Sequence, residues 1–140
     1  MTANERVLEF LHENGPFSAF YVATVDGDKP KVRPFTFVMI HDGKLCFATN
    51  NQKPNYAQLQ ANPNVEICTM GKHFDWLRLQ GKAVFCSTPE FKAAALEAMP
   101  SMKAHYSPDD DLFEIFYLED AVADFCTMKG TKTNTESVKL

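Results

Sequence analysis

An antiparallel β-barrel carrying a few short peripheral helices, mainly β, is the fold class this sequence predicts. Three observations predict it. Runs of β-branched and aromatic residues are separated by turns such as Asp26-Gly27 and Asp42-Gly43, where Asp-Gly tolerates positive φ and closes hairpins. Six or seven strand-like runs occur with short helical stretches that do not alternate with them as a parallel βαβ sheet requires. No GxGxxG occurs, so a dinucleotide-binding Rossmann domain has no support.

The elements follow in order. Thr2 and Glu5 form a capping box, and Val7, Leu8, Phe10 and Leu11 recur at helical spacing until Gly15-Pro16. Phe17 to Val25 is the first strand, and Asp26-Gly27-Asp28 turns it into a second, Lys31 to Ile40. His41-Asp42-Gly43-Lys44 is a tight turn, after which Leu45 to Thr49 returns beside the second strand. Pro54 suits a first helical position, where its missing N–H would lack an intrahelical partner, and the helix from Pro54 to Asn62 stops before Pro63. Val65 to Met70 and Phe74 to Ser87 read as strands around Gly71-Lys72; in the longer one Trp76, Arg78 and Gln80 share a face. Thr88 caps a helix with Pro89 at its first position and the run Ala93-Ala94-Ala95-Leu96 inside it. Met99 to Pro108 reads as a broken helical linker and Asp109-Asp110-Asp111 as a solvated turn. Leu112 to Leu118 and Ala121 to Met128 are two final strands, and residues 131–140 lack core-forming side chains and read as a loose tail after a single domain of residues 1–130.

Two basic residues stand out against this frame. Arg33 lies within a strand and Lys53 just before a helix whose first N–H groups lack partners, with Thr49, Asn50, Asn51 and Gln52 between. A guanidinium fork, an ammonium and a helix start suit a dianionic phosphate. Taken alone, the same two residues are equally compatible with ordinary solvated charges.

The order and spacing of several segments carry a resemblance. They are Ala23-Thr24-Val25-Asp26-Gly27 with Val32-Arg33-Pro34, Leu45-Cys46-Phe47-Ala48-Thr49, Lys53 with Gln58-Leu59 and Asn62-Pro63-Asn64-Val65, and Trp76 through Ala83. Together they resemble the pyridoxamine 5′-phosphate oxidase-like FMN-binding split-barrel proteins, especially the short, general-stress-protein-like branch. That resemblance implies a split barrel with FMN at a two-fold dimer interface. It implies that Arg33 holds the FMN phosphate, that Pro34, Phe35, Thr36 and Phe37 run along the isoalloxazine ring, that Ala48 and Thr49 lie beside it, and that Gln52 and Lys53 form a second phosphate-contacting pair. Trp76 falls where many relatives place a polar residue of the partner subunit. Trp76, Arg78, His73 and Tyr106 are the residues considered for the second wall of the site. The aromatic and basic C-terminal signature of the oxidase proper is absent, which argues against pyridoxamine phosphate oxidation itself. The implied function is a flavin-dependent oxidoreductase taking electrons from a reduced nicotinamide to a small acceptor; a non-catalytic FMN-binding or redox-sensing protein, or a binder of deazaflavin or haem, is the alternative.

Composition sets the outer limits. A chain of 140 residues with 12 phenylalanines can fill a sizeable core. Its net charge of −4, with no long Lys/Arg run, argues against nucleic-acid partners. Neither a signal-type apolar region nor a bilayer-length run occurs, so a cytoplasmic location without membrane attachment is expected. Cys46, Cys68, Cys86 and Cys126 are widely separated, without a CxxC pair, and are expected to be buried reduced thiols. The four histidines show no metal-ligand spacing.

Overall fold

The computed structural model describes residues 1–140. Its elements are α1 (Ala3–Leu11), β1 (Phe20–Asp26), β2 (Lys29–Phe35), β3 (Val38–His41), β4 (Lys44–Asn50), α2 (Pro54–Ala61), β5 (Asn64–Met70), β6 (Trp76–Phe85), α3 (Pro89–Ala98), a 3-10 turn (Pro100–Ala104), β7 (Phe113–Lys129) and β8 (Lys132–Lys139). All strands belong to one antiparallel sheet in the order β2-β1-β5-β6-β7-β4-β3, with β8 added on β7. The mainly β class with short helices is therefore observed.

The sheet order explains the barrel. Its two outermost strands, β2 and β3, are consecutive in the chain and separated only by Thr36 and Phe37. The sheet must therefore roll until its edges approach, leaving a seam where these two residues pass from one edge to the other. The single strand expected over Lys31 to Ile40 is thus two strands on opposite edges: Arg33 pairs with Val22 of β1, and only Val38 to His41 pair with β4.

Inside the barrel Phe20, Val22, Phe35, Phe47, Ile67, Leu77, Leu79 and Phe116 form the main core together with Val7 and Leu11 of α1. Phe47 and Phe116 stack with centroids 5.5 Å apart. Alternation along β4 and β7 sends Cys46, Phe113 and Ile115 outward, where Phe91, Ala95 and Leu96 of α3 cover them in a second cluster. The two expected caps are present. Thr2 and Glu5 exchange reciprocal bonds with each other's backbone N–H, and Thr88 Oγ1 accepts from the Phe91 N–H.

Two sequence expectations at the C-terminal end are corrected. The strands expected on either side of Glu119-Asp120 are one bent strand, β7, with Asp120 at φ 52°. Its neighbour β6 shifts register between Gln80 and Lys82, and a Cβ on the intervening Gly81 would lie 3.1 Å from the Glu119 carbonyl oxygen. The bulge absorbs the bend, so pairing resumes beyond it. Residues 131–140 are not a loose tail: Lys132 to Lys139 form β8, paired in register along the far half of β7. Its polar composition, which suggested disorder, is that of a solvent-facing edge strand.

All four cysteines are free; Cys46 and Cys126 are buried, Cys86 is half-buried, and Cys68, expected to be buried, is exposed on β5. The neighbouring Cys86 and burial together push the Cys46 thiol far above its ordinary range. No helix is long and apolar enough to cross a membrane.

Candidate functional site at the barrel seam

Between β2 and β3 the peptide groups of Thr36 and Phe37 take part in no backbone or side-chain hydrogen bond within the chain, although Phe37 is buried. Backbone donors and acceptors of this kind require a partner from water or a ligand. They border a cavity of about 280 Å³ lined by Pro34, Phe35, Thr36, Phe37, Ala48, Thr49, Lys53, Met99, Met102, Tyr106 and Phe113. Strand β4 contributes Ala48 and Thr49, the start of α2 contributes Lys53, and the 3-10 turn with its flanks contributes the apolar wall. On that wall the Tyr106 ring stacks on Phe113 at 4.4 Å, nearly parallel, and its hydroxyl accepts from Asn50 Nδ2 at 2.8 Å.

Helix α2 joins the two basic residues. Lys53 is its N-cap, with no side-chain hydrogen bond at the cap, and the Asn55 N–H bonds nothing within the chain. α1 and α3, by contrast, are capped by threonine hydroxyls. Further along α2, Gln58 Oε1 accepts from Arg33 Nη2 at 2.8 Å and from Thr24 Oγ1 at 2.6 Å, while Arg33 Nη1 donates to Thr24 Oγ1 at 2.7 Å and to the Val22 carbonyl at 3.1 Å. Thr49 Oγ1, on β4, donates to the buried Asn55 Oδ1 at 2.6 Å. Arg33 and Thr49 were expected to meet through a shared hairpin; instead they dock on the same helix from different strands.

Arg33 has no acidic partner. All its acceptors are neutral, and burial lowers its pKa. Its Nε–H makes no bond inside the chain, so the edge of the guanidinium formed by Nε and Nη2 retains donor capacity. A half-buried cation held by neutral groups favours an incoming anion.

The expected site residues therefore fall into three groups. Pro34, Phe35, Thr36, Phe37, Ala48, Thr49 and Lys53 line one cavity. Arg33 and Gln52 do not line it, although each is the chain neighbour of a residue that does; Arg33 is held by Gln58 of α2, and Gln52 is exposed, its N–H bonded to Asn50 Oδ1 at 3.0 Å. Trp76 lies elsewhere: at the start of β6 it pairs with Cys126, near the opposite end of β7 from Phe113. His73 and Arg78 share that distant end, and of the residues considered for a second wall only Tyr106 reaches the cavity. Sequence reasoning missed the roles of Thr24, Gln58, Met99, Met102 and Phe113. The Thr24 role was recoverable, since the Asp26-Gly27 hairpin sets Arg33 opposite Val22 and makes Thr24 a diagonal neighbour. Nothing local marked the methionines.

Apart from Lys53 and Tyr106, no titratable side chain lines the cavity, and no group of His, Cys, Asp and Glu is arranged to hold a metal ion. The arrangement can bind a flat molecule with hydrogen-bonding edges and an anionic tail, but supplies no acid/base pair of its own.

Comparison with known proteins agrees with this geometry. Residues 3–122 match the family model described as pyridoxamine 5′-phosphate oxidase. A NimC/NimA family protein from Clostridium acetobutylicum is 42% identical, with TM-score 0.84 over 96% of this chain and 91% of that one. General Stress Protein 26 from Bacillus anthracis is similar at 20% identity and TM-score 0.73, covering 100% of both chains. A pyridoxamine 5′-phosphate oxidase-related, FMN-binding protein from Nostoc punctiforme shares the fold at 16% identity and TM-score 0.63, over 98% of this chain and 91% of that one. So does a haem-binding protein from Mycobacterium smegmatis, at 16% identity and TM-score 0.69, over 99% of this chain and 59% of that one. No curated protein matches the chain.

Proposed function

The chain belongs to the pyridoxamine 5′-phosphate oxidase family of split barrels, and from that premise we propose that it is an FMN-binding flavoprotein, an oxidoreductase passing electrons from a reduced nicotinamide to a small-molecule acceptor. The observation that carries the reading is Arg33: a partly buried guanidinium with only neutral partners and a free Nε edge, held by Gln58 of the same short helix whose start is uncapped and whose N-cap Lys53 lines the seam cavity.

The residues fit the cofactor. Arg33 and Lys53, with the free N–H of Asn55, hold the phosphate. The unpaired peptide groups of Thr36 and Phe37 would serve the polar edge of the ring, as donors already fixed in place before it binds. Ala48 leaves room for a flat ring against β4. When bound, FMN supplies the electron transfer, and the protein supplies position and electrostatics. The absence of an acid/base pair from the cavity accords with that division of labour.

A cavity of about 280 Å³ lies just below the range of roughly 300–1,000 Å³ in which small-molecule sites are enclosed. A cavity this small accords with a homodimer in which a second copy completes each site; that Trp76 is supplied from across the two-fold axis rests on the family resemblance alone. The four free cysteines accord with a reducing, cytoplasmic location.

Two alternatives remain in view. A non-catalytic FMN binder fits the same cavity. Haem is less well served, because no histidine lines the cavity and the Tyr106 hydroxyl is engaged by Asn50. The visible spectrum of the purified protein distinguishes flavin, deazaflavin and haem. Bleaching by NADH or NADPH and recovery with added acceptors then separates an enzyme from a carrier. The double substitution Arg33→Ala with Lys53→Ala is expected to abolish FMN retention in a folded protein, since each charge-assisted contact contributes about 1.5–3 kcal/mol. FMN at full occupancy in that variant overturns the phosphate assignment.

A further inference from the structure

A second cavity, of about 310 Å³, lies on the other side of Tyr106 and is lined by Ala93, Leu96, Glu97, Lys103, Ser107 and Pro108 together with Tyr106 itself. Tyr106 is the one residue that lines both this space and the seam cavity. We propose that Tyr106 is a movable partition between the ring-binding cavity and an adjoining compartment for the second substrate, a small, neutral, largely apolar organic molecule with one hydrogen-bonding group.

Size is the first argument. The seam cavity, about 280 Å³, lies just below the range of roughly 300–1,000 Å³ typical of small-molecule sites, and the second, about 310 Å³, just inside it, so a ring in the seam cavity leaves no room within it for a second reactant. The adjoining space is the one that touches it. Mobility is the second argument. Backbone on the C-terminal side of Tyr106 is pinned: Asp110 accepts from the N–H groups of Ser107, Leu112 and Phe113 at 2.9–3.1 Å, and the Lys92 ammonium donates to the Asp110 carbonyl at 2.8 Å. The half-buried Tyr106 side chain packs on the second cluster, stacks on Phe113, meets the His105 ring edge-on at 6.4 Å and accepts one neutral hydrogen bond from Asn50, with no charged group holding it. Met99 and Met102, flexible side chains that re-pack readily, line the seam cavity beside it. Rotation of one ring, with the loop fixed, is therefore the motion that joins the two spaces.

The lining sets the ligand class. Ala93, Leu96 and Pro108 give an apolar floor, and Ser107 gives one hydrogen-bonding group. Lys103 and Glu97 pair at 2.9 Å, so neither charge is left to select an ion. That the neighbouring cavity holds a flavin ring rests on the function proposed above; the partition itself rests on the two cavities.

Indole, a neutral apolar ring with one N–H, serves as the probe, read by the methyl signals of Ala93, Met99 and Met102 in labelled whole protein. In the wild-type protein indole is expected to shift Ala93 before the methionines. Tyr106→Phe keeps the ring and its stacking but removes the hydrogen bond from Asn50, so indole should then shift all three in one saturating event, with affinity raised roughly two- to ten-fold, the factor expected from one neutral hydrogen bond. Tyr106→Ala should give the same merged response more strongly. Independent responses in both variants, or no response at Ala93 in any form, overturns the partition. A parallel FMN titration keeps the two ideas apart: failure of the wild-type protein to bind FMN defeats the cofactor reading and leaves the indole result standing.

Discussion

Arg33 differs from a lysine at the same place in more than reach. Its fork satisfies Thr24, Gln58 and the Val22 carbonyl together while leaving Nε free, and an ammonium cannot do both. Arg33→Lys is therefore expected to weaken FMN binding by about ten-fold or more, a loss of the order of one charged hydrogen bond, with charge preserved; an unchanged dissociation constant in a fluorescence titration would mean that charge alone matters there. A second residue carries local strain. Phe74 sits at φ 58° and is 82% exposed, a combination in which a bulky side chain loses backbone freedom and gains no burial within its own chain. Phe74→Asn should raise the melting temperature by a few degrees, corresponding to about 0.5–1 kcal/mol; a lower one would show that the ring is covered in the assembled protein. Arg33 and Lys53 stood out in the sequence as isolated cations within a strand and just before a helix, and the structure ties Arg33 to α2 and places Lys53 at its N-cap and on the cavity wall. Met99, Met102 and Phe113 left no such mark, because the methionines reach the cavity through the packing of a 3-10 turn and Phe113 through the pairing of β7 with the distant β4.

The segment after α3 shows how a wall is built from a loop. Lys92, only 6% exposed on α3, ties down Asp110, which in turn gathers three backbone N–H groups. Lys92→Met should cost about 1–3 kcal/mol in denaturant unfolding, the loss of a charge-assisted bond. Burial pushes the Asp110 carboxyl up, but the N–H groups of Phe113, Ser107 and Leu112 and the charge of Lys92 outweigh it and hold the pKa below its ordinary 3.8. A lowered folded-state value stabilises at pH above 3.8 and loses that contribution as pH falls through the folded value. The stability difference between wild type and Asp110→Asn is thus expected to be constant from neutral pH down to about 4 and to shrink below it; a constant difference in acid removes Asp110 as the cause. Both capped helices and most hairpins could be read from the sequence, since caps and Asp-Gly turns are local signals. β8 and the continuity of β7 could not, because they depend on pairing with residues distant along the chain. The acidic triplet read as a solvated turn conceals the buried tie to Lys92 for the same reason.

For the whole molecule, the roll of the sheet places one cavity at the seam and leaves Tyr21, Cys68 and Met70 exposed on β1 and β5. Sedimentation of the wild-type protein should show a two-chain species. Trp76→Asp is expected to reduce dimer and flavin occupancy together; dissociation with flavin retained would mean that each chain builds its whole site alone. Deleting residues 131–140 exposes the far half of β7 as a long unpaired edge, so that variant should aggregate well before the full chain on heating.

The bare start of α2 has a kinetic consequence. A helix end that lacks a side-chain cap unravels readily until something binds it, so amides near Asn55 should trade hydrogen for deuterium rapidly in apoprotein and slow once the anion arrives. Because Thr49 of β4 and Arg33 of β2 are bonded to that same short helix, through Asn55 and Gln58, its first turn would report occupancy to both strands.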